Sequence, residues 1–104
     1  MDATQRYASF SEFYPFYLGE HSNRVCRRLH VIGSTLVIAI VVAVVARVLS
    51  PWALLALPVV GYGFAWVGHF FFEKNRPATF RYPFYSFAGD WVMFRDVLIG
   101  RIPF

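Results

Sequence analysis

The sequence predicts an all-α protein: an integral membrane helical hairpin of two transmembrane helices, flanked by amphipathic helices that lie at the interface. Three observations carry this. Hydrophobic residues make up 58% of the 104 residues and charged residues only 15%, against about 45–50% and about 25% in an average soluble domain. Aromatic residues reach 20%, a surplus of apolar surface that needs lipid or a large partner to cover it. Two stretches, 29–46 and 52–72, carry no formal charge when His30 and His69 are counted as neutral, and such stretches are long enough to cross a hydrocarbon core about 30 Å thick.

The elements follow in order within a single domain, 1–104. An interfacial helix is expected over about 9–20. Ser9 and Glu12 have the spacing of a capping box, in which a hydroxyl and a carboxylate satisfy free amides at a helix start. Phe10, Phe13, Tyr14, Phe16, Tyr17 and Leu18 make it aromatic, and Gly19 can stop it. Pro15 either moves the start towards Tyr14 or kinks the helix. At this length it lies on a membrane rather than crossing one.

A polar stretch, 20–24, offers Ser22 or Asn23 as the cap of the next helix. The first transmembrane helix is expected over about 29–47. Its run 36–45 is nearly all Val, Ile, Leu and Ala. In water such β-branched residues would favour a strand, but a lone strand in lipid leaves its backbone unpaired, so the run is a helix. Ser50-Pro51 marks the hairpin turn. The second transmembrane helix is expected over about 52–73. Gly61, Gly63 and Gly68 within it allow close approach of a neighbour, with Gly33 and Ser34 of the first span as the facing residues.

Glu73, Lys74, Asn75, Arg76 and Pro77 then end the span near Asn75, because a residue before proline avoids the helical region. An aromatic loop runs to Ala88. Asp90 is expected to cap a last interfacial helix, about 90–99, stopped by Gly100. Arg95 and Asp96 keep that helix out of the lipid core. The chain shows no internal repeat and no secretory signal of basic residues followed by an apolar run and cleavage site. Arg24, Arg27 and Arg28 precede the first span, and Lys74, Arg76 and Arg81 follow the second, whereas Arg47 alone lies in the turn. This asymmetry places both termini in the cytoplasm, at the inner membrane of a bacterium or the endoplasmic reticulum of a eukaryote.

The residues with chemistry to offer are few. Cys26 is the single cysteine, which excludes an internal disulfide. His30 stands 20 residues before Ser50 and His69 stands 19 after it. At 1.5 Å per residue the two reach nearly the same height on the hairpin, and His21 can fold back to that level. Glu73 lies one turn after His69, on the same helix face. Several histidines with a carboxylate and open positions suit iron(II) that activates oxygen. Asp90 and Glu20 are the alternative carboxylates, as ligands or as partners that orient a ligand histidine. Each residue also has a plainer reading. Histidine and arginine are at home at membrane boundaries, Glu73 can pair with Arg76 or Lys74, and Arg27 and Arg28 serve orientation without gripping a substrate carboxylate.

Other classes fare worse. Gly61–Gly68 has glycines but lies inside an apolar span, so it is no dinucleotide loop. No serine stands in an elbow-like motif. The basic residues flank the spans, which argues against nucleic acid as a partner.

The stretches FYLGEHSNRVCRRLHVIG, 16–33, and GYGFAWVGHFFFEKNRPATFRYPFYSFAGDW, 61–91, resemble the Mpo1-like family. The resemblance covers most of the chain, and GHFFFEKNRPATF is its most specific part. It implies a membrane enzyme, an iron(II)-dependent dioxygenase of fatty acid α-oxidation that shortens a long-chain 2-hydroxy fatty acid by one carbon. It matches His21, His30 and His69 to the family's histidines and Glu73, Asn75 and Arg76 to a polar cluster. Carried onto this chain, the three histidines hold iron, and Glu73, Asp90 or Glu20 completes or orients the site. Arg27, Arg28 or Arg76 would pair with the substrate carboxylate, and the acyl chain would lie near Gly61, Gly63 and Gly68. The chain is shorter than the yeast-type relatives, so a homo-oligomer would have to supply whatever their extra segments add. The rival reading is a non-catalytic small membrane protein that binds lipid or a larger partner through its aromatic surface.

Overall fold

The computed structural model describes residues 7–104, so the first six residues of the domain range lie outside it. The described chain is all-helical, with no strand. Helix α1 spans Phe10–Gly19 and α2 spans Arg24–Val45. A tight 3-10 turn, Pro51–Ala56, leads into α3, Leu57–Val67, which continues as a wide π-helical segment, Gly68–Glu73. A short 3-10 turn, Ala78–Phe80, precedes α4, Pro83–Leu98.

Helix α1 runs through Pro15 rather than starting beyond it. The lost N–H bond and ring clash cost about 3 kcal/mol, which the burial of Phe13 and Tyr17, one turn apart and both fully enclosed, offsets. Ser9 caps it, its hydroxyl accepting from the Glu12 N–H at 3.3 Å. The Glu12 carboxylate accepts from Ala8 N–H at 3.1 Å, one residue before the position that a capping box uses. Asn23 caps α2, its side-chain oxygen accepting from the N–H groups of Val25 and Cys26. Helix α2 therefore starts about a turn before position 29. Arg24, Arg27 and Arg28 belong to its opening turns instead of preceding it.

Helices α2 and α3 form an antiparallel hairpin. A Cβ on Gly33 would stand 3.1 Å from Phe64 Cβ and 3.4 Å from the Val60 carbonyl, so the glycine sets how near the two backbones lie. Arg24–Val45 and the continuous helix Pro51–Glu73, of 22 and 23 residues, are long and apolar enough to cross a membrane. Only 17% of the most apolar window of each is buried within the chain. Val42, Val45, Leu55 and Val59 all face outwards, which is not how a core helix of a soluble protein behaves.

A second layer sits at one end of the hairpin. Phe13, Tyr17, Ala78, Tyr82 and Met93 form a buried cluster that joins α1, the Ala78–Phe80 turn and α4. The Tyr14 hydroxyl donates to Asp96 Oδ2 at 2.8 Å and pins α1 to α4. Arg27 Nε donates to the Pro103 carbonyl and Arg28 Nε to a Phe104 main-chain oxygen, both at 3.2 Å, so the last described residues lie against the start of α2.

Helix α4 corrects the sequence expectation. It starts at Pro83, seven residues before Asp90, and Asp90 sits mid-helix with no capping role. Pro83 is preset for a first helical position. Gly89, within this helix, is a packing contact: a Cβ there would lie 2.9 Å from the Tyr17 ring.

Candidate metal centre

Three elements deliver three histidines to one point. His21 follows α1 directly, its N–H donating to the Leu18 carbonyl at 3.1 Å. His30 lies two turns into α2, and His69 is the second residue of the π-helical segment. All three are buried, at 1%, 7% and 2% exposure. Their Nε2 atoms form a triangle with sides of 3.1 Å (His21–His30), 3.2 Å (His30–His69) and 2.9 Å (His69–His21).

The other ring nitrogens fix the tautomers of His21 and His69. His21 Nδ1 lies 2.7 Å from the Tyr17 carbonyl, which can only accept. His69 Nδ1 lies 2.7 Å from Asn75 Oδ1. Asn75 is turned that way because its Nδ2 donates to the Glu20 carbonyl at 3.1 Å and to the Glu20 carboxylate. His30 Nδ1 faces the Asp90 carboxylate at 3.6 Å, and that carboxylate accepts from the Tyr17 hydroxyl. The Nδ1 atoms of His21 and His69 thus keep their protons and their Nε2 atoms present lone pairs. Lone pairs aimed at one another repel, and a cation between them reverses the sign of the interaction.

The donor set fits a transition-metal ion such as iron(II). Nitrogen ligands at about 2.1 Å from one ion stand about 3.0–3.4 Å apart. The observed sides are close to that span, so one ion could be held by all three histidines.

The π-helical segment explains why His69 reaches the centre. The N–H groups of Lys74 and Asn75 both turn back to the His69 carbonyl. Lys74 takes a left-handed conformation, φ 58°, to make that reversal, and the chain returns Asn75 beneath the ring it orients.

The carboxylates singled out in the sequence surround the triangle without joining it. Glu73 accepts from Ser22 N–H at 3.0 Å, Ser22 Oγ at 2.7 Å and Asn23 N–H at 2.6 Å, and so holds the connection that carries His21. Asp90 and Glu20 act one bond further out, through His30 and Asn75. Burial pushes the Asp90 carboxyl up to about 7, against the lowering effect of the Tyr17 hydroxyl. Burial, reinforced by His69, lowers His21 to about 3, which keeps its imidazole neutral. Arg27 donates to the carbonyls of His21 and Ser22, Arg28 stacks on Phe104, and Arg76 stacks on Phe80.

Two residues escaped the sequence reading. The ligand atoms of Cys26 and the three histidines lie within 4.8 Å of one another. The signal was present, since Cys26 stands one turn before His30 on α2. Tyr17 serves two histidines, by its carbonyl and through Asp90, and stacks on the His21 ring at 4.1 Å. No spacing rule would have singled it out from its aromatic neighbours.

A cavity of about 310 Å³ opens beside His30 and Asp90 and is otherwise almost wholly apolar. A separate crevice of about 10 Å³ touches His30, His69 and Asp90, space for about one water-sized molecule.

The family model described as "Mpo1-like: 2-hydroxy-palmitic acid dioxygenase Mpo1-like" matches residues 7–102. No curated protein and no solved structure matches the chain.

Proposed function

The chain belongs to the Mpo1-like family, and from that premise we propose that it is a membrane-embedded, iron(II)-dependent dioxygenase that shortens long-chain 2-hydroxy fatty acids by one carbon. The observation that carries the reading is the triangle of Nε2 atoms, three ring nitrogens on one point with the Nδ1 atoms of His21 and His69 tied off. The family description supplies the reaction class and the substrate type. The exposed apolar faces of the hairpin support a bilayer as surroundings, with both termini cytoplasmic by the distribution of arginine and lysine.

His21, His30 and His69 would hold the iron, which supplies the activation of oxygen. The atoms balance: a 2-hydroxy acid and one O₂ contain what the acid one carbon shorter, carbon dioxide and water contain. The chain's own contribution is position and dryness. Tyr17 and Asn75 fix the imidazole planes of His21 and His69 by hydrogen bonds, and Asp90 faces His30 at 3.6 Å. The aromatic layer of Phe13, Tyr17 and Tyr82 seals the side away from the hairpin. Asp90 borders both the cavity and the crevice, where it can accept a hydrogen bond from a substrate hydroxyl. Among the described residues no arginine lines the cavity, so in this reading the substrate's carboxylate is met by the metal centre, with Arg27, Arg28 and Arg76 in supporting structural roles.

The test is iron binding and oxygen uptake by detergent-purified protein. One iron(II) per chain is expected, lost in His69→Ala, with oxygen consumption that rises on addition of a 2-hydroxy fatty acid and not of the unhydroxylated acid. Protein that takes up no iron(II), or whose iron survives replacement of every one of the three histidines, refutes the reading.

A further inference from the structure

The metal centre accounts for the head of a 2-hydroxy acid but not for its tail. The cavity beside His30 has the form of a site for that tail. Its polar end is His30 and Asp90, and along α2 the wall continues through Ser34 to Val37. These lie at i, i+4 and i+7, one face of the helix. The opposite wall is α3, where Gly61 stands across from Val37 and Leu57 lies deeper. Both walls run from the histidines towards the middle of the hairpin. Phe87 and Trp91 of α4 form the third side.

The cavity is open, not a closed tunnel. Pro58, Tyr62 and Phe87 line it and are also exposed, so it communicates with the surroundings between α3 and α4. From His30 to Val37 the helix rises about 10 Å, a depth that takes roughly eight carbons of an extended chain. A long-chain acid is longer than that.

We propose that this cleft binds the head-proximal half of the acyl chain, roughly its first eight carbons, and that the remainder leaves sideways between α3 and α4 into the bilayer. The proposal rests on the reading of the substrate as a long-chain 2-hydroxy acid. One polar end followed by an apolar trough is the pattern of an amphiphile with one head and one tail. An open side means that the protein grips the near carbons and leaves the far ones to lipid. Chain length beyond the cleft then has little effect on binding, whereas bulk near the head has a large one.

Trp91 allows a direct test that needs no turnover. In a Trp52→Phe/Trp66→Phe variant it is the sole tryptophan, and it lines the cleft. Bromine quenches indole fluorescence at short range. Palmitic acid bearing a 2-hydroxyl and bromines at carbons 6 and 7 is expected to quench Trp91 at least twofold more than the same acid brominated at carbons 15 and 16. Gly61→Leu should abolish the difference. A Cβ at Gly61 meets Val37 Cγ2 at 3.6 Å, an ordinary contact, so the backbone has room for a side chain whose remainder fills the trough, and an unchanged unfolding midpoint in detergent is the check that the variant is folded. Equal quenching by the two acids, or stronger quenching by the distal bromines, overturns the proposal. If the proximal pattern holds but iron-loaded protein consumes no oxygen with the bound acid, the enzymatic reading fails and the cleft stands. If oxygen is consumed but the quenching is independent of bromine position, the cleft fails and the enzyme stands.

Discussion

Gly68 lies so close to Cys26 that a methyl group on the glycine would stand 3.0 Å from both the Cα and the Sγ of the cysteine. The two residues immediately neighbour the metal centre, since Gly68 precedes His69 and Cys26 shares a ligand-atom cluster with all three histidines. The absent side chain is what allows α2 and the π-helical segment to bring their histidines together.

Gly68→Ala must therefore push backbone from backbone. We expect a loss of about 1–3 kcal/mol in stability and a fall in iron loading, read by thermal unfolding in detergent and by metal analysis. Gly63→Ala is the control, because nothing lies within 4 Å of a Cβ there. Equal behaviour of the two variants would remove the argument for close packing at the centre.

Glu73 is expected to behave as a structural clasp. Its three hydrogen bonds all go to Ser22 and Asn23. Glu73→Ala should cost about 1–3 kcal/mol, the scale of buried or charged hydrogen bonds left unmade, while folded protein still takes up one iron at saturation. A folded variant that binds no iron would show that the carboxylate is a ligand after all.

Asp90→Asn should weaken iron affinity by about 10–100-fold without abolishing it, as replacement of a partner that orients a ligand histidine does. Tyr17→Phe removes the hydroxyl that Asp90 accepts from but keeps the ring stacked on His21, so its effect should be the smaller of the two. Competition against a chelator of known affinity measures both. An Asp90→Asn protein with unchanged affinity would mean that His30 needs no partner.

Acid should loosen the aromatic layer through Asp96. Burial alone would raise its carboxyl, but hydrogen bonds from Tyr14 and Arg95 and the nearby charges of Arg95 and Arg101 outweigh this and lower it. A group that is more acidic folded than unfolded adds stability above its unfolded value, about 3.9, and loses it as pH falls towards the folded value. Between pH 5 and pH 3 the wild type should lose more melting temperature than Asp96→Asn. Parallel curves would show that the Asp96 contacts contribute nothing.

The sequence announced what depends on spacing along the chain. Two apolar runs of matching length gave the hairpin, and the count from Ser50 gave His30 and His69 a common height. It announced less of what depends on contacts between distant elements. Pro83 read as loop, because a proline that breaks a helix and one that starts it look alike until Tyr17 is packed against Gly89. Glu73 read as a ligand because i, i+4 spacing puts it near His69, whereas the left-handed turn at Lys74 and the nearby Ser22 and Asn23 amides draw it elsewhere. Asn75 owes its role to the same turn, and the resemblance, not spacing, singled it out.

The three histidines are also far apart in another measure. His21 and His30 are separated by 9 residues and His30 and His69 by 39. An ion held by all three would close two loops at one knot and take from the unfolded chain the freedom that cross-links take. With a single free cysteine the chain has no disulfide of its own. The supply of such an ion would then govern how long the folded chain survives.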